Sequence, residues 1–169
     1  KRVLIVGAGA IGDGVRARLL PFEVDVTMVA RSARAGVHPV EELPALLPEA
    51  DVVVVLVPFT DATRGLADAK FFAGMRDGAL FINGARGPVA DTEALTAEVL
   101  SGRLRAALDV TDPEPLPADH PLLSAPHLIV LPHVGSATVA AREAMTRLAV
   151  ENVLAALDGA SMPHPVAAP

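Results

Sequence analysis

Residues 2–6, RVLIV, pass without a spacer into GAGAIG at Gly7 to Gly12 and then into IGDGVRARLL. The apolar run reads as a strand, the glycines as a tight turn and the following stretch as a helix. In such a junction Gly7 permits the turn, Gly9 lets the backbone approach a pyrophosphate, and Gly12 lets the helix pack closely on the sheet. The phosphates then meet free amides at a helix N-terminus. Gly14 fits less well, because a glycine within the first turns costs about 1 kcal/mol relative to alanine. A dinucleotide is the expected ligand.

The alternation continues along the chain. Strands are expected at 2–6, 24–29, 51–57, 79–83, 106–110 and 128–131, and their near-continuous apolar character indicates cover on both faces. Helices are expected to start near Ile11, Val40, Asp61, Asp91 and Ser136, the last Ala-rich and extending to Leu157. Asp91 as cap, Ala94, Leu95, Val99 and Leu100 as apolar face, and Gly102 as stop define one of them closely. Between Thr111 and Pro126 the prolines at 113, 115, 117, 121 and 126 predict an irregular but stiffened loop. Repeated β-α units of this kind predict an α/β fold, a doubly wound parallel sheet of the Rossmann type. At 169 residues a single domain spanning 1–169 is the first assumption.

Composition narrows the setting. Hydrophobic residues make up 51% of the chain, yet no run approaches the roughly 20 apolar residues that span a bilayer, so a soluble protein with no membrane partner is expected. Lys1 lies almost against a strand and no signal-peptide pattern precedes it, which reads as an excised piece of a longer protein. The absence of cysteine excludes disulfides and thiolate metal sites and allows a reducing cytoplasm. A net charge of −6 argues against broad nucleic-acid binding. No spacing of His and carboxylates suggests a metal site, and His38, His120, His127 and His164, beside prolines in expected loops, receive no role.

The end of the second strand, VTMVARSAR, bears on which dinucleotide binds. An NAD site usually places an acidic residue about 20 residues after the glycines, on the ribose hydroxyls. Here that slot holds Ala30, followed by Arg31, Ser32 and Arg34, while Glu23 and Asp25 lie too early to replace the acid. Two guanidiniums and a hydroxyl suit a 2′-phosphate. NADP is expected over NAD, with NAD still possible; the competing reading makes the arginines solvated loop charges.

Three further polar residues follow apolar runs: Arg86 after FIN, Glu114 after AALDV and His133 after LIVLP. In open α/β sheets, ligands bind outside the carboxyl ends of the strands. Reducing a 2-keto acid requires a cation for the carboxylate, a proton donor for the developing alkoxide, and a hydride. Arg86 suits the first role and His133 the second, with Glu114 orienting the imidazole and favouring its charged form. Taken singly, each also reads as an ordinary loop residue; their joint placement beside the glycine junction argues for a site.

The segments VGAGAIG, LVPFTDATRGL, INGARGPVADTEAL, ALDVTDPEPLP and LPHVGSAT resemble, in order and spacing, the D-2-hydroxyacid dehydrogenases over nearly the whole chain. By that resemblance Arg86 is the substrate-binding arginine, Glu114 the carboxylate partnering the histidine, and His133 the acid-base. It also places Asp109 on the nicotinamide carboxamide and Ala10 and Ile11 over the pyrophosphate. Val57, Pro58 and Thr63 fall on the adenosine side, and Gly84, Ala85 and Gly135 near the nicotinamide. Ala30, where NAD-using members carry aspartate, resembles the NADP-preferring glyoxylate and hydroxypyruvate reductases. The family's second, substrate-binding domain comes largely from residues before the glycine junction, so the resemblance implies a fragment lacking most of it. The last ~10 residues would lead back toward that domain. The function so implied is reversible hydride transfer between NADP(H) and a small acid such as glyoxylate, hydroxypyruvate or pyruvate, in a homodimeric cytoplasmic parent. The other class with this fold is a dinucleotide-sensing module of the C-terminal-binding-protein corepressor type.

Overall fold

The computed structural model describes residues 1–166, which divide into two compact units, Lys1–Pro132 and the segment from His133 onward. The first unit holds seven parallel strands: β1 (Arg2–Val6), β2 (Asp25–Ala30), β3 (His38–Pro39), β4 (Val52–Val55), β5 (Leu80–Asn83), β6 (Arg105–Leu108) and β7 (Leu128–Val130). Their order is β3-β2-β1-β4-β5-β6-β7, so the winding reverses between β1 and β4. This is the doubly wound parallel sheet that the alternation predicts.

Burial on both faces explains the unbroken apolar runs. Leu4 and Val6 pack in one cluster with Val53, Val55, Phe72 and Phe81, while Val3 and Ile5 pack in another with Met28 and Val54. The rings of Phe72 and Phe81 meet edge to face, 5.0 Å apart at 87°. The helices of this unit are α1 (Ala10–Leu19), α2 (Leu43–Leu46), α3 (Ala69–Gly74) and α4 (Thr92–Leu100). In α4 the Asp91 carboxylate accepts from the Ala94 amide at 3.0 Å, and Leu95 and Val99 are buried, as the capping pattern predicts.

Three local expectations change. No helix extends from Asp61: a single turn forms, with the Arg64 amide donating to the Thr60 carbonyl at 3.0 Å and the Thr63 hydroxyl accepting from the Thr60 amide at 2.8 Å and donating to the Pro58 carbonyl at 2.6 Å. Gly65, at φ +63°, then closes that route, and α3 begins only after its cap, Asp68. The helix expected from Val40 is broken into 3-10, α and 3-10 segments, with Pro44 and Pro48 near the starts of the second and third. The two-residue β3 was not foreseen; Pro39 donates no ladder bond, which suits it to the sheet edge it occupies.

The second unit is carried by α5 (Val139–Leu157), capped by the Thr138 hydroxyl, which accepts from the Ala141 amide at 3.2 Å. None of the α5 residues is buried. The Asn152 amide clamps the backbone of His164, donating at 2.7 Å and accepting at 2.8 Å. Of the final residues expected to lead toward another domain, 167–169 lie outside those described. No described helix is long and apolar enough to cross a membrane.

Candidate functional site

Two cavities open at the carboxyl ends of the strands where the winding reverses. The larger, about 660 Å³, is lined by residues 9–12, 56–59 and 84–86. The smaller, about 440 Å³, is lined by residues 6–9, 29–31 and 56–58 with Val40, Thr60, Ala62, Thr63 and Leu66. They share Gly9, Leu56, Val57 and Pro58. A glycine junction from β1 and the segment after β4 thus border both spaces.

The glycines divide by what surrounds them. Gly7 has φ +124°, and a Cβ there would lie 2.6 Å from the Leu56 carbonyl carbon. A Cβ on Gly12 would lie 2.0 Å from the Gly7 carbonyl oxygen. Both are required by the packing of the chain on itself. Gly9 is different, because a Cβ there meets nothing within 4 Å. It caps α1 without a side chain, so the amides of the first turn face open space beside the cavity. Ile11, two-thirds exposed, adds an apolar wall together with Val57 and Pro58. An anion-binding helix N-terminus flanked by apolar surfaces for two rings fits a dinucleotide.

At the end of β2, Ala30 and Arg31 line the smaller cavity, and no carboxylate stands in that slot. Ser32 is exposed on the next turn. Arg34 does not line that cavity itself, but its guanidinium donates to the carbonyl of Ala8, which does. Its backbone also exchanges hydrogen bonds with Val37, at 3.1 and 2.8 Å. Thr63, expected on the adenosine side, lines the smaller cavity and fixes Pro58 through the bond described above.

Beyond β5, Gly84, Ala85 and Arg86 line the larger cavity. The exposed Arg86 side chain donates to the Ala85 carbonyl at 2.7 Å. Behind it, Gly87 leaves no room for a side chain, since a Cβ would fall 1.9 Å from the Thr111 carbonyl oxygen. The turn bearing Arg86 therefore presses on the segment after β6, which carries the half-buried Asp109 and the exposed Glu114. His133 and Gly135 belong to the second unit. His133 adopts φ +54°, a left-handed conformation uncommon for a side-chain-bearing residue and often found at functional positions.

Two neighbours of the site were not singled out from sequence. Phe59 lines the larger cavity, with the Arg64 guanidinium 4.6 Å above its ring. Asn83 is buried and hydrogen-bonds to Ala85 and Arg86. A polar residue ending an otherwise apolar strand is the signal that could have marked it.

Comparison with known proteins agrees with this geometry. Residues 1–135 match the family described as D-isomer specific 2-hydroxyacid dehydrogenase, NAD binding domain. The chain is 42% identical over 166 residues to the human glyoxylate reductase/hydroxypyruvate reductase, covering 94% of this chain and 51% of that protein. It therefore spans about half the length of the curated relatives it matches. Among solved structures, the TT0316 protein of Thermus thermophilus superposes with a TM-score of 0.91 at 43% identity, covering 98% of this chain and 53% of that one. The NADPH-dependent glyoxylate/hydroxypyruvate reductase of Sinorhizobium meliloti, in complex with NADP and malonate, gives 0.91 at 33% identity, with 99% and 53% covered. With the glycine junction, the winding and the match over 1–135 in agreement, the chain belongs to the D-isomer specific 2-hydroxyacid dehydrogenases and carries their NAD binding domain.

Proposed function

We propose that this chain is the dinucleotide-binding part of an NADPH-dependent reductase of small 2-keto acids, with glyoxylate and hydroxypyruvate as the first candidates and pyruvate a third. One observation carries the reading: the cavity bounded by the free helix N-terminus at Gly9 is bounded also by Arg86. A phosphate cradle and a carboxylate-binding fork thus border one space. The names of the human and Sinorhizobium relatives support the substrate class.

In this proposal the amides from Ala10 to Gly12 hold the pyrophosphate and Val57, Pro58 and Thr63 hold the adenosine, with Gly84, Ala85, Asp109 and Gly135 toward the nicotinamide. Arg31 and Ser32 at the smaller cavity contact the 2′-phosphate in place of the missing acid. The bound nicotinamide supplies the hydride. Arg86 fixes the substrate carboxylate and polarises the keto group, and His133 gives a proton to its oxygen, with Glu114 as the supporting carboxylate. The active protein is proposed to be a cytoplasmic homodimer carrying a substrate-binding domain as well, with the exposed apolar residues of α5, Val139 and Leu157 among them, available for pairing.

Calorimetric titration with NADPH and NADH at one fixed salt concentration tests the cofactor assignment. NADPH should bind more tightly, and Arg31→Ala should weaken NADPH by roughly tenfold or more while leaving NADH nearly unchanged. Equal losses would remove the 2′-phosphate contact. Turnover of glyoxylate or hydroxypyruvate by the full-length protein tests the enzyme; tight NADPH binding with no turnover would favour a dinucleotide-sensing module instead.

A further inference from the structure

We propose that Asn83 is a positioning residue: it sets the turn that carries Arg86 and ties that turn to the segment bearing Asp109. The inference rests on the reading of Arg86 as the substrate-binding arginine.

Asn83 ends β5, in register with Val55 of β4 and Leu108 of β6. All three are buried, Asn83 to 1% exposure, yet its two neighbours are apolar. Packing alone therefore gives no reason for an amide there. A buried amide is tolerated only when its bonds are made, and an apolar residue of similar shape fills such a place without that requirement. The reason must lie in what the amide holds.

Its Oδ1 accepts from the Ala85 amide at 3.0 Å, and its Nδ2 donates to the Arg86 carbonyl at 3.1 Å. The two bonds bracket the Cα of Arg86, one on the peptide before Ala85 and one on the peptide after Arg86. That Arg86 carbonyl also accepts from the Val89 amide at 3.1 Å, which closes the turn on its far side. The backbone carbonyl of Asn83 meanwhile accepts from the Asp109 amide at 3.0 Å. One residue thus fixes the substrate arginine through its side chain and the first residue after β6 through its main chain. Gly87, pressed on Thr111, prevents the turn from relaxing in that direction. A guanidinium recognises a carboxylate through a directional fork, so a small rotation of this turn spoils recognition while leaving the dinucleotide cradle at β1 untouched.

The test is a double-mutant cycle in the full-length protein, with NADPH and hydroxypyruvate as substrates. Asn83→Leu removes both side-chain bonds and suits the apolar layer between Val55 and Leu108. It should lower kcat/KM by roughly tenfold to a hundredfold, chiefly through a higher KM for the keto acid, with the NADPH dissociation constant changed far less. In an Arg86→Ala background the same change should have almost no further effect on kcat/KM. A fully active Asn83→Leu beside a crippled Arg86→Ala overturns the proposal alone, as does an equal loss in both backgrounds, which marks a merely structural residue. A fully active Arg86→Ala overturns the reading of Arg86 and this proposal with it. Should Asn83→Leu fail to fold, hydrogen exchange in the unsubstituted protein decides: a protected Ala85 amide supports the clamp, and one exchanging as fast as an open loop amide overturns it.

Discussion

The two ends of the sheet treat their polar groups in opposite ways. At the amino ends of the strands, charges are matched to partners within the chain. Arg103 donates to Glu98 at 2.6 Å and to the carbonyls of Phe72 and Met75 at 2.6 and 2.8 Å. Asp51 accepts from the Arg2 amide and pairs with Arg76, each at 2.8 Å. At the carboxyl ends, the amides around Gly9 open on a cavity and Arg86 presents an exposed side chain beside it. The amino end uses these charges for folding, whereas the carboxyl end leaves the Gly9 amides and the Arg86 side chain beside a cavity. Substitutions at the two ends should therefore separate stability from binding.

The largest effect is expected at the closed end. Arg103→Met removes bonds to Glu98 and to two carbonyls near the end of α3, leaving the half-buried Glu98 unpaired. The loss of stability should be about 2–4 kcal/mol by urea titration. NADPH affinity, measured where the variant is still folded, should not change; a loss of affinity there would break the separation.

The converse lies at the open end. Gly9→Val places its Cβ where nothing in the chain lies within 4 Å, so the thermal midpoint should fall only by the modest cost of a poorer helix cap, about 1 kcal/mol. Binding of NADPH and NADH should each fall roughly tenfold to a hundredfold, the cost of about 1–3 kcal/mol typical of an intruding side chain. Unchanged binding would mean that the space at Gly9 is not where the pyrophosphate sits.

How far the sequence foretold this division depends on whether a residue's role is local. The bounds of β1 and the cap of α4 are found where expected, because a strand entering a glycine turn and an Asp before an amphipathic run are contiguous signals. The glycine junction was legible for the same reason, although only the structure separates Gly7 and Gly12, which serve packing, from Gly9, which faces open space. The helix expected near Asp61 stops after one turn because Gly65 takes a left-handed conformation, and a glycine's φ is not visible in periodicity. Asn83 escaped notice because its role depends on burial between two neighbouring strands.

Arg34 marks a contact that sequence distance conceals, since its partner, Ala8, lies 26 residues away. From composition it reads as a second ligand for the 2′-phosphate. Its bond to the glycine junction gives it a different expected signature. Arg34→Ala should weaken NADPH and NADH alike, by about threefold to tenfold, as expected for one lost hydrogen bond to a charged donor. A selective loss of NADPH would restore it to the phosphate and place it with Arg31.

The smallest effect is expected at Asp51, and pH supplies its sign. The Arg2 amide, with Lys1 and Arg76 nearby, holds its carboxyl below the usual carboxylate range, against the opposing effect of burial. Because the folded state binds the proton less readily than the unfolded chain, the stabilisation is fully present above the ordinary value of about 3.9. It is lost as pH falls through the lower folded value. Asp51→Asn should therefore lower the thermal midpoint by at most a few degrees at neutral pH, with the gap to the unsubstituted protein closing as the pH drops into and below the carboxylate range. NADPH affinity at neutral pH should stay the same. A gap that persists unchanged in acid would assign the loss to packing or to the Arg2 bond itself, and the closed end would then be held by geometry more than by charge.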